Sequence, residues 1–541
     1  MQLKQISAGP QTAGRAIMAA GRPRQQWQGL RAILLGCAAA ALGVPALAET
    51  TDDHVQQKAD ETFNRLAPVG MAVAVVRPGQ PVWVQGYGLL AAGGSQAVDG
   101  DTVFPIHSMT KSFTAAALAL LVDEGKVAWS DPVRKHIPEF AMSDPYVTEH
   151  LTVRDLLVHN SGLALGAGDL LHWPDQVATA DEFIAALRHL PLDQGFREGF
   201  AYDNILYTVA GEVVERASGV PWSTFVQNRL FAPLQMTSCS TSSAEARALP
   251  TAIQHSRVPG GAPVRRDDIK VSEDPAGSIS CSVRDVAKWT QFQLGDGTLA
   301  DGSVLMTAER LREMHKPVVA LGPPNFMRRL AGAHFNDVAL GWFTLDFAGT
   351  IAVEHGGLGA GGITNMILLP EKQAAVVVLV NDLVPAHFLS HQIADMIARG
   401  DKASDWIGYV VEGEKRRAAR AAEKMAQVSQ PPANAMPPAH ALADYAGIYR
   451  DPWYGDVVVR TDGTGLTLHF TRSKLLNGPL LPWNGETFLA RWPDRSLDAD
   501  ALVTFITDER GEISAMKIVA ASDRTDFSYD YHHLAPKRVK Q

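Results

Sequence analysis

"EHGGLGAGGITNMILLPEKQAAVVVLVND", residues 354–382, admits two architectures. Gly357, Gly359 and Gly362 have the spacing of a dinucleotide-binding loop, Ile351 and Val353 suggest a strand before it, and Asp382 lies where a ribose partner would be sought. Such a loop holds a pyrophosphate only by opening a helix, whose free N–H groups and dipole attract the anion. Here the glycines run into Ile363, Met366, Ile367 and Leu368, then the turn-forming Pro370-Glu371-Lys372-Gln373, then an apolar run from Ala374 to Val380. That pattern is strand, turn, strand, with no helix end for a phosphate to sit on. The nucleotide reading fails, and the glycines need another cause.

Working outward, "MAVAVVRPGQPVWVQGYGLL" (71–90) is a strand, a Pro-Gly turn and a second strand. "SFTAAALALLVDEGK" (112–126) carries Ala and Leu at helical spacing with Gly125 placed to cap it. Residues 130–330 alternate helical patterns with Pro- and Gly-rich loops, and "PAHFLSHQIADMIARG" (385–400) is helical again. Strands at both ends with helices between predict one sheet, built from the two ends of a 55–405 region, with a helical insertion beside it. From Val411 to His440 the composition changes to a charged helix-former and the spacer "PPANAMPPAH", a linker whose charges are a solvated face. Beyond it, residues 441–536 read as an all-β module: "DVVVRTDGTGLTLHF" and "ALVTFITDERGEISAMKIV" each follow hairpin logic.

The 541 residues have an ordinary globular composition, 46% hydrophobic and 20% charged. Residues 1–48 combine five basic residues and no acid with an apolar segment ending in Ala46-Leu47-Ala48, the layout of a secretory signal peptide cut before Glu49. "LLGC", ending at Cys37, is a minority lipoprotein reading. Loss of the five leader cations takes the formal net charge from −9 to −14, which disfavours nucleic acid as a partner. No later stretch predicts a membrane span. Once Cys37 leaves with the leader, Cys239 and Cys281 either pair in an oxidising compartment or stay free, and a cysteine-built metal site is excluded by count.

In "HSMTKSF", Ser108 begins a helix and Lys111 follows one turn along the same face. Serine needs a neighbouring base to become a nucleophile, and an amine with a depressed pKa can serve. A helix N-terminus also leaves the Ser108 N–H free for an oxyanion. "FAYDNILYTVAGEVVERASG" places Tyr202 and Asn204 just ahead of a helix, where loop residues can enter a cleft. There is no H-E-x-x-H zinc motif and no G-x-S-x-G elbow, and His107 and His159 read as structural.

With these pieces in order, the chain resembles the penicillin-recognising serine hydrolases, the superfamily of class C β-lactamases, D,D-peptidases, D-aminopeptidases and related esterases. Ser108-Met109-Thr110-Lys111 resembles its S-x-x-K motif, Tyr202-Asp203-Asn204 its Y-x-N, and His355-Gly356-Gly357 its K-T-G or H-x-G triplet. "LTVRDLLVHNSGL", "LFAPLQMTS" and "DPAGSISCSVRDVAKW" resemble family landmarks. The resemblance implies an α/β plus all-α catalytic region with an antiparallel sheet flanked by helices, followed by a small all-β, lipocalin-like C-terminal domain. It implies Ser108, Lys111 and Tyr202 as catalytic residues. Asn204, His355, Gly357 and the Leu358 N–H become substrate or oxyanion contacts, the glycines letting a substrate backbone approach. His355 stands where the family often has lysine, so any grip on a substrate carboxylate is expected to weaken as pH rises through neutrality. Asp203 offers an anion near the cleft that favours a substrate with a free amine.

The expected activity is that of an exported, periplasmic or secreted, serine peptidase or amidase. It would act through an acyl-enzyme on peptides with D- or unusual residues, linearised cyclic peptides of microcystin type being one case. No metal and no cofactor are expected, and the partners are a peptide or a small amide or ester, with the C-terminal module a surface for oligomerisation. The alternatives are an esterase or β-lactamase with the same acyl-enzyme, or a penicillin or peptide sensor that acylates without turnover.

Overall fold

The structure, a computed structural model, describes residues 51–540 apart from 175–177, 259–260, 268–273 and 429. The leader reading, with Cys37, lies outside the described residues. No described helix is long and apolar enough to cross a membrane.

The strands predicted from the two ends of the region do form one sheet. Its members are β1 (Gly70–Val76), β2 (Trp83–Gly88), β3 (Val319–Leu321), β4 (Asn336–Val338), β5 (Phe343–Phe347), β6 (Thr350–Gly359), β7 (Gly362–Leu369) and β8 (Ala374–Val380). They lie in the order β2-β1-β8-β7-β6-β5-β4-β3, every pair antiparallel. The first strand therefore pairs with the last, Val73 opposite Val378. Both β1 and β8 are buried along their whole length, which is why they read as unbroken apolar runs rather than alternating ones.

Helices cover the two faces. On one, Val73, Val75, Val376 and Val378 pack with Val55 and Ala59 of α1 (Asp52–Leu66), Ile393 of the helix Leu389–Arg399, and Trp406. On the other, Ala72, Ala74, Val377 and Leu379 share a core with Trp289 of the helix Val283–Leu294 and with α2 (Thr110–Asp123). All but the last two residues of α2 are buried, so it has apolar side chains all round and no polar stripe. Its buried polar residues are bonded: Ser112 donates to the Met109 carbonyl and Thr114 to the Pro275 carbonyl, each at 2.8 Å.

The charged helix-former expected at the start of the 411–440 linker is helical, as part of a longer element. A helix runs Trp406–Val428, and its first turn is catalytic-region core: Trp406 is fully buried and its indole donates to Asp395 Oδ2 at 2.8 Å. The charge of the later turns masked that anchored start. Beyond it, eight strands close an antiparallel barrel from Gly447–Asp451 to Lys537–Arg538, leaving no sheet edge open. Its core is aromatic, with Tyr445, Tyr449, Phe470, Phe488, Trp492 and Phe505 all buried. Cys239 and Cys281 are joined by a disulfide, and Asp382, the ribose candidate of the nucleotide reading, instead takes both Arg257 donors at 2.8 and 2.6 Å.

Candidate active site

Ser108 sits in a tight turn, His107–Met109, that leads straight into α2. Lys111 is on the first turn of that helix and wholly buried, and its amine reaches Ser108 Oγ at 3.1 Å. It also donates to Asn204 Oδ1 and to the Ala276 carbonyl, both at 2.7 Å. Burial lowers its pKa to about 8, against the opposing pull of the Asp274, Asp169 and Asp203 carboxylates. The motif that spacing alone could leave as a solvated lysine is here a desolvated amine held on a serine.

Tyr202 and Asn204 arrive from the loop before the helix Ile205–Ser218. The Lys111 amine lies 5.0 Å from the centre of the Tyr202 ring, and His159 stacks on that ring at 4.3 Å, which fixes its orientation. Burial pushes the Tyr202 phenol well above its ordinary range, with Ser108 pulling the other way, so it stays protonated and can donate. Asn204 is oriented from behind: its amide donates to Asp169 Oδ2 at 2.8 Å, which turns its oxygen toward Lys111. Asp169 was not legible as a site residue, because "GAGDLL" reads as a loop. Burial raises its carboxyl to about 7.

Two expectations need correction. Asp203 does not face the cleft; it is fully buried, its amide N–H donating to His159 Nδ1 at 3.2 Å. In an extended loop neighbouring side chains point opposite ways, and Tyr202 and Asn204 take the cleft side. His355 is also no pH-dependent cation. Burial, reinforced by Lys111, pushes it down to about 3, and its Nδ1–H donates to the Gly356 carbonyl at 2.7 Å. It packs near Phe343 as a neutral residue.

The glycines of β6 have a cause different from the one expected. A Cβ on Gly357 would stand 2.3 Å from the Ile106 carbonyl oxygen, and one on Gly359 would stand 2.1 Å from the His107 ring. The protein's own turn at Ile106 and His107, rather than a substrate backbone, occupies the space they leave open. Thr364 on β7 completes the contact by donating to the Ile106 carbonyl at 3.1 Å.

Ser108, Asn204 and Leu358 line one cavity, of about 810 Å³ with its open mouth, together with the 171–174 segment, Phe183, Gln254 and Asp274. Leu358 is half exposed, and through this cavity β6 and the Ser108 turn share one opening. The chain between Leu171 and Phe183 supplies much of its wall. The barrel supplies a wall that sequence reasoning missed. Ser528 lines the cavity, Phe527 packs edge-on against Tyr202 at 6.2 Å, and Asp530 Oδ2 accepts the Gly168 N–H at 2.7 Å. Gly166 permits this approach, since a Cβ there would fall 2.7 Å from the Phe527 ring. The only signal in "TDFSYDYHH" is its density of aromatic residues outside any strand pattern.

Residues 52–398 match the Beta-lactamase family, well over half the chain. The chain belongs to that family. Residues 431–538 match a second family, a domain of unknown function (DUF3471), which spans the barrel. Among curated relatives of this Beta-lactamase-family protein, the Unguisins hydrolase ungD' of Aspergillus campestris is 27% identical over 470 residues, covering 81% of this chain and 84% of its own. Among solved structures, the octameric penicillin-binding protein homologue from Pyrococcus abyssi aligns over 90% of this chain and all of its own, with a TM-score of 0.57 at 20% identity. D-amino acid amidase from Ochrobactrum anthropi SV3 aligns over 67% of this chain and 98% of its own, with a TM-score of 0.52 at 23% identity. The likeness to the two structures is one of fold.

Proposed function

We propose that the protein is an exported serine amidase or peptidase that works through an acyl-enzyme on Ser108, acting on peptides with D- or otherwise unusual residues. The observation that carries this reading is the Lys111 amine, buried, lowered to about 8 and 3.1 Å from Ser108 Oγ. In its neutral form Lys111 takes the Ser108 proton as Oγ attacks the carbonyl, and the C–O bond forms. Tyr202, protonated and beside Ser108, passes a proton to the leaving nitrogen as the C–N bond breaks. Lys111 in turn protonates Tyr202, so the serine proton ends on the departing amine. Water then attacks the acyl carbon, gives its proton to Lys111, and the acid leaves as Ser108 Oγ is reprotonated. The Ser108 and Leu358 N–H groups are the proposed oxyanion donors.

A neutral His355 weighs against a carboxypeptidase that requires a fixed cation for a terminal carboxylate. The relative named Unguisins hydrolase and the fold neighbour named D-amino acid amidase support amide bonds in unusual peptides as the first substrates to try. The Cys239–Cys281 disulfide supports export to an oxidising compartment.

The test is turnover of linear D-residue peptides, D-aminoacyl anilides, a short ester and a chromogenic cephalosporin by wild type, Ser108→Ala and Tyr202→Phe. Amide cleavage that vanishes in Ser108→Ala, and falls further in Tyr202→Phe than ester cleavage does, supports the reading. Turnover of the ester or cephalosporin alone overturns the amidase assignment, and a stable adduct with every substrate makes the protein a sensor.

A further inference from the structure

The cavity holds a polar group that the proposed chemistry does not use. His172 lines it beside Asn204, with a side chain 13% exposed. Its ring is fixed twice, by stacking on Phe183 at 4.2 Å and by Nδ1 standing 2.9 Å from Asp274 Oδ2. Asp274 is itself held, accepting the Ala276 N–H and the Thr208 hydroxyl, each at 3.0 Å. The Ala276 carbonyl in turn receives Lys111, so one short segment, Asp274–Ala276, places His172 in the same rigid frame as the base.

With Nδ1–H committed to Asp274, the other ring nitrogen decides what His172 does. Nε2 is buried and has no hydrogen-bond partner among the described residues. Burial lowers the pKa of the ring, but the Asp274 and Asp169 carboxylates overcome this and hold it above its ordinary value. The Asp274 carboxylate 2.9 Å from Nδ1, with Asp169 close by, favours a proton on both ring nitrogens, which leaves an Nε2–H with no acceptor among the described residues, and an unmet buried donor is costly. An acceptor on the substrate would relieve that cost.

The surrounding charges select the acceptor. Asp274 already pairs with His172, Asp274, Asp169 and Asp203 all act on Lys111, and His355 adds no positive charge. A carboxylate entering here gains no excess of cations, whereas a neutral carbonyl takes a charge-assisted hydrogen bond without that repulsion. We propose that His172 is a specificity residue whose Nε2–H donates to a second, neutral carbonyl oxygen of the substrate, so that the site selects peptide-type acyl chains. The proposal rests on the acyl-enzyme reading and deepens it by naming the acyl class.

The test uses the full-length mature protein and two p-nitroanilides of equal length, N-acetyl-D-alanyl, which has the second carbonyl, and 2-methylpentanoyl, which lacks it. Each is read as kcat, KM and the rate of Ser108 acylation by intact mass. N-succinyl-D-alanyl anilide adds a carboxylate. Wild type is expected to favour the N-acetyl-D-alanyl compound over the alkyl one by about tenfold, mainly in KM, and to disfavour the succinyl compound. His172→Leu should erase the preference by weakening only the carbonyl-bearing substrate, and His172→Gln, which keeps a donor, should restore part of it. Each ratio is taken within one protein, so a loss of folded material cancels. Equal losses on both anilides in His172→Leu, or an unchanged preference, would overturn the proposal. Anilide cleavage that survives Ser108→Ala would sink the acyl-enzyme reading instead, and leave the His172 ratio readable.

Discussion

The turn carrying Ser108 and the barrel segment 527–530 meet at one cavity from opposite ends of the chain, and they are held by different means. The Ser108 turn is clamped by backbone: it continues into a helix buried in all but its last two residues, the Ile106 N–H donates to the Ile279 carbonyl at 2.9 Å, and the β6 glycines let it lie against the sheet. The barrel segment is held by side chains, with Phe527 on Tyr202 and Asp530 on the Gly168 N–H, and elsewhere on the barrel Arg472 donates to Glu182 at 2.8 Å. Backbone clamping fixes reacting atoms to within a fraction of an ångström, while side-chain contacts can be re-cut without disturbing them. The difference assigns chemistry to the first segment and selection to the second.

Lys111→Ala strikes the clamped side hardest. It removes the proposed base and leaves Asn204 and the Ala276 carbonyl without their donor, so amide turnover should fall by about 10³- to 10⁴-fold while the Tm of the purified variant shows whether the fold survives. Gly359→Ala tests the clamp without touching a reacting group. Its Cβ must displace the His107 ring, and a shift of Ser108 by about an ångström should cost on the order of 10²-fold in kcat. An unchanged kcat would mean that the glycines serve the substrate after all.

Phe527→Ala probes the other side. Removing the ring that leans on Tyr202 should raise KM several-fold for bulky peptides and leave kcat on a short ester nearly unchanged. A fall in kcat for both would give the barrel a part in the chemistry and break the division. His355→Gln should have the smallest effect. The imidazole is already uncharged down to about pH 3, so the pH profile above pH 5 should keep its shape.

The two sides also differ in how far the sequence revealed them. S-x-x-K, Y-x-N and the His355 triplet were legible because local spacing places Ser108 and Lys111 on one helix face, and because the strand-turn-strand pattern of 354–382 forced β6 and β7 to be neighbours. What lay beyond was the facing of single residues. Asp203 and Asn204 are two positions of one loop read in one motif, yet one is sealed in the core and the other faces Lys111. Asp169, His172 and Asp274 were invisible as a group because their proximity comes from packing of separate loops. The barrel was legible as hairpins, but its 527–530 wall was not, since no local pattern says which loop of one domain will rest on another.

The central claim, that a neutral Lys111 activates Ser108, is tested most directly by kcat/KM for an amide substrate against pH in wild type and Asp169→Asn. The amine is a base only when unprotonated, and that fraction grows as pH rises toward about 8. Wild type should therefore show an ascending limb centred near 8. Removing the Asp169 carboxylate removes one of the charges that holds the proton on Lys111, so in the variant the limb should move to lower pH. A limb near 6 that ignores Asp169, or a flat profile, would contradict the account.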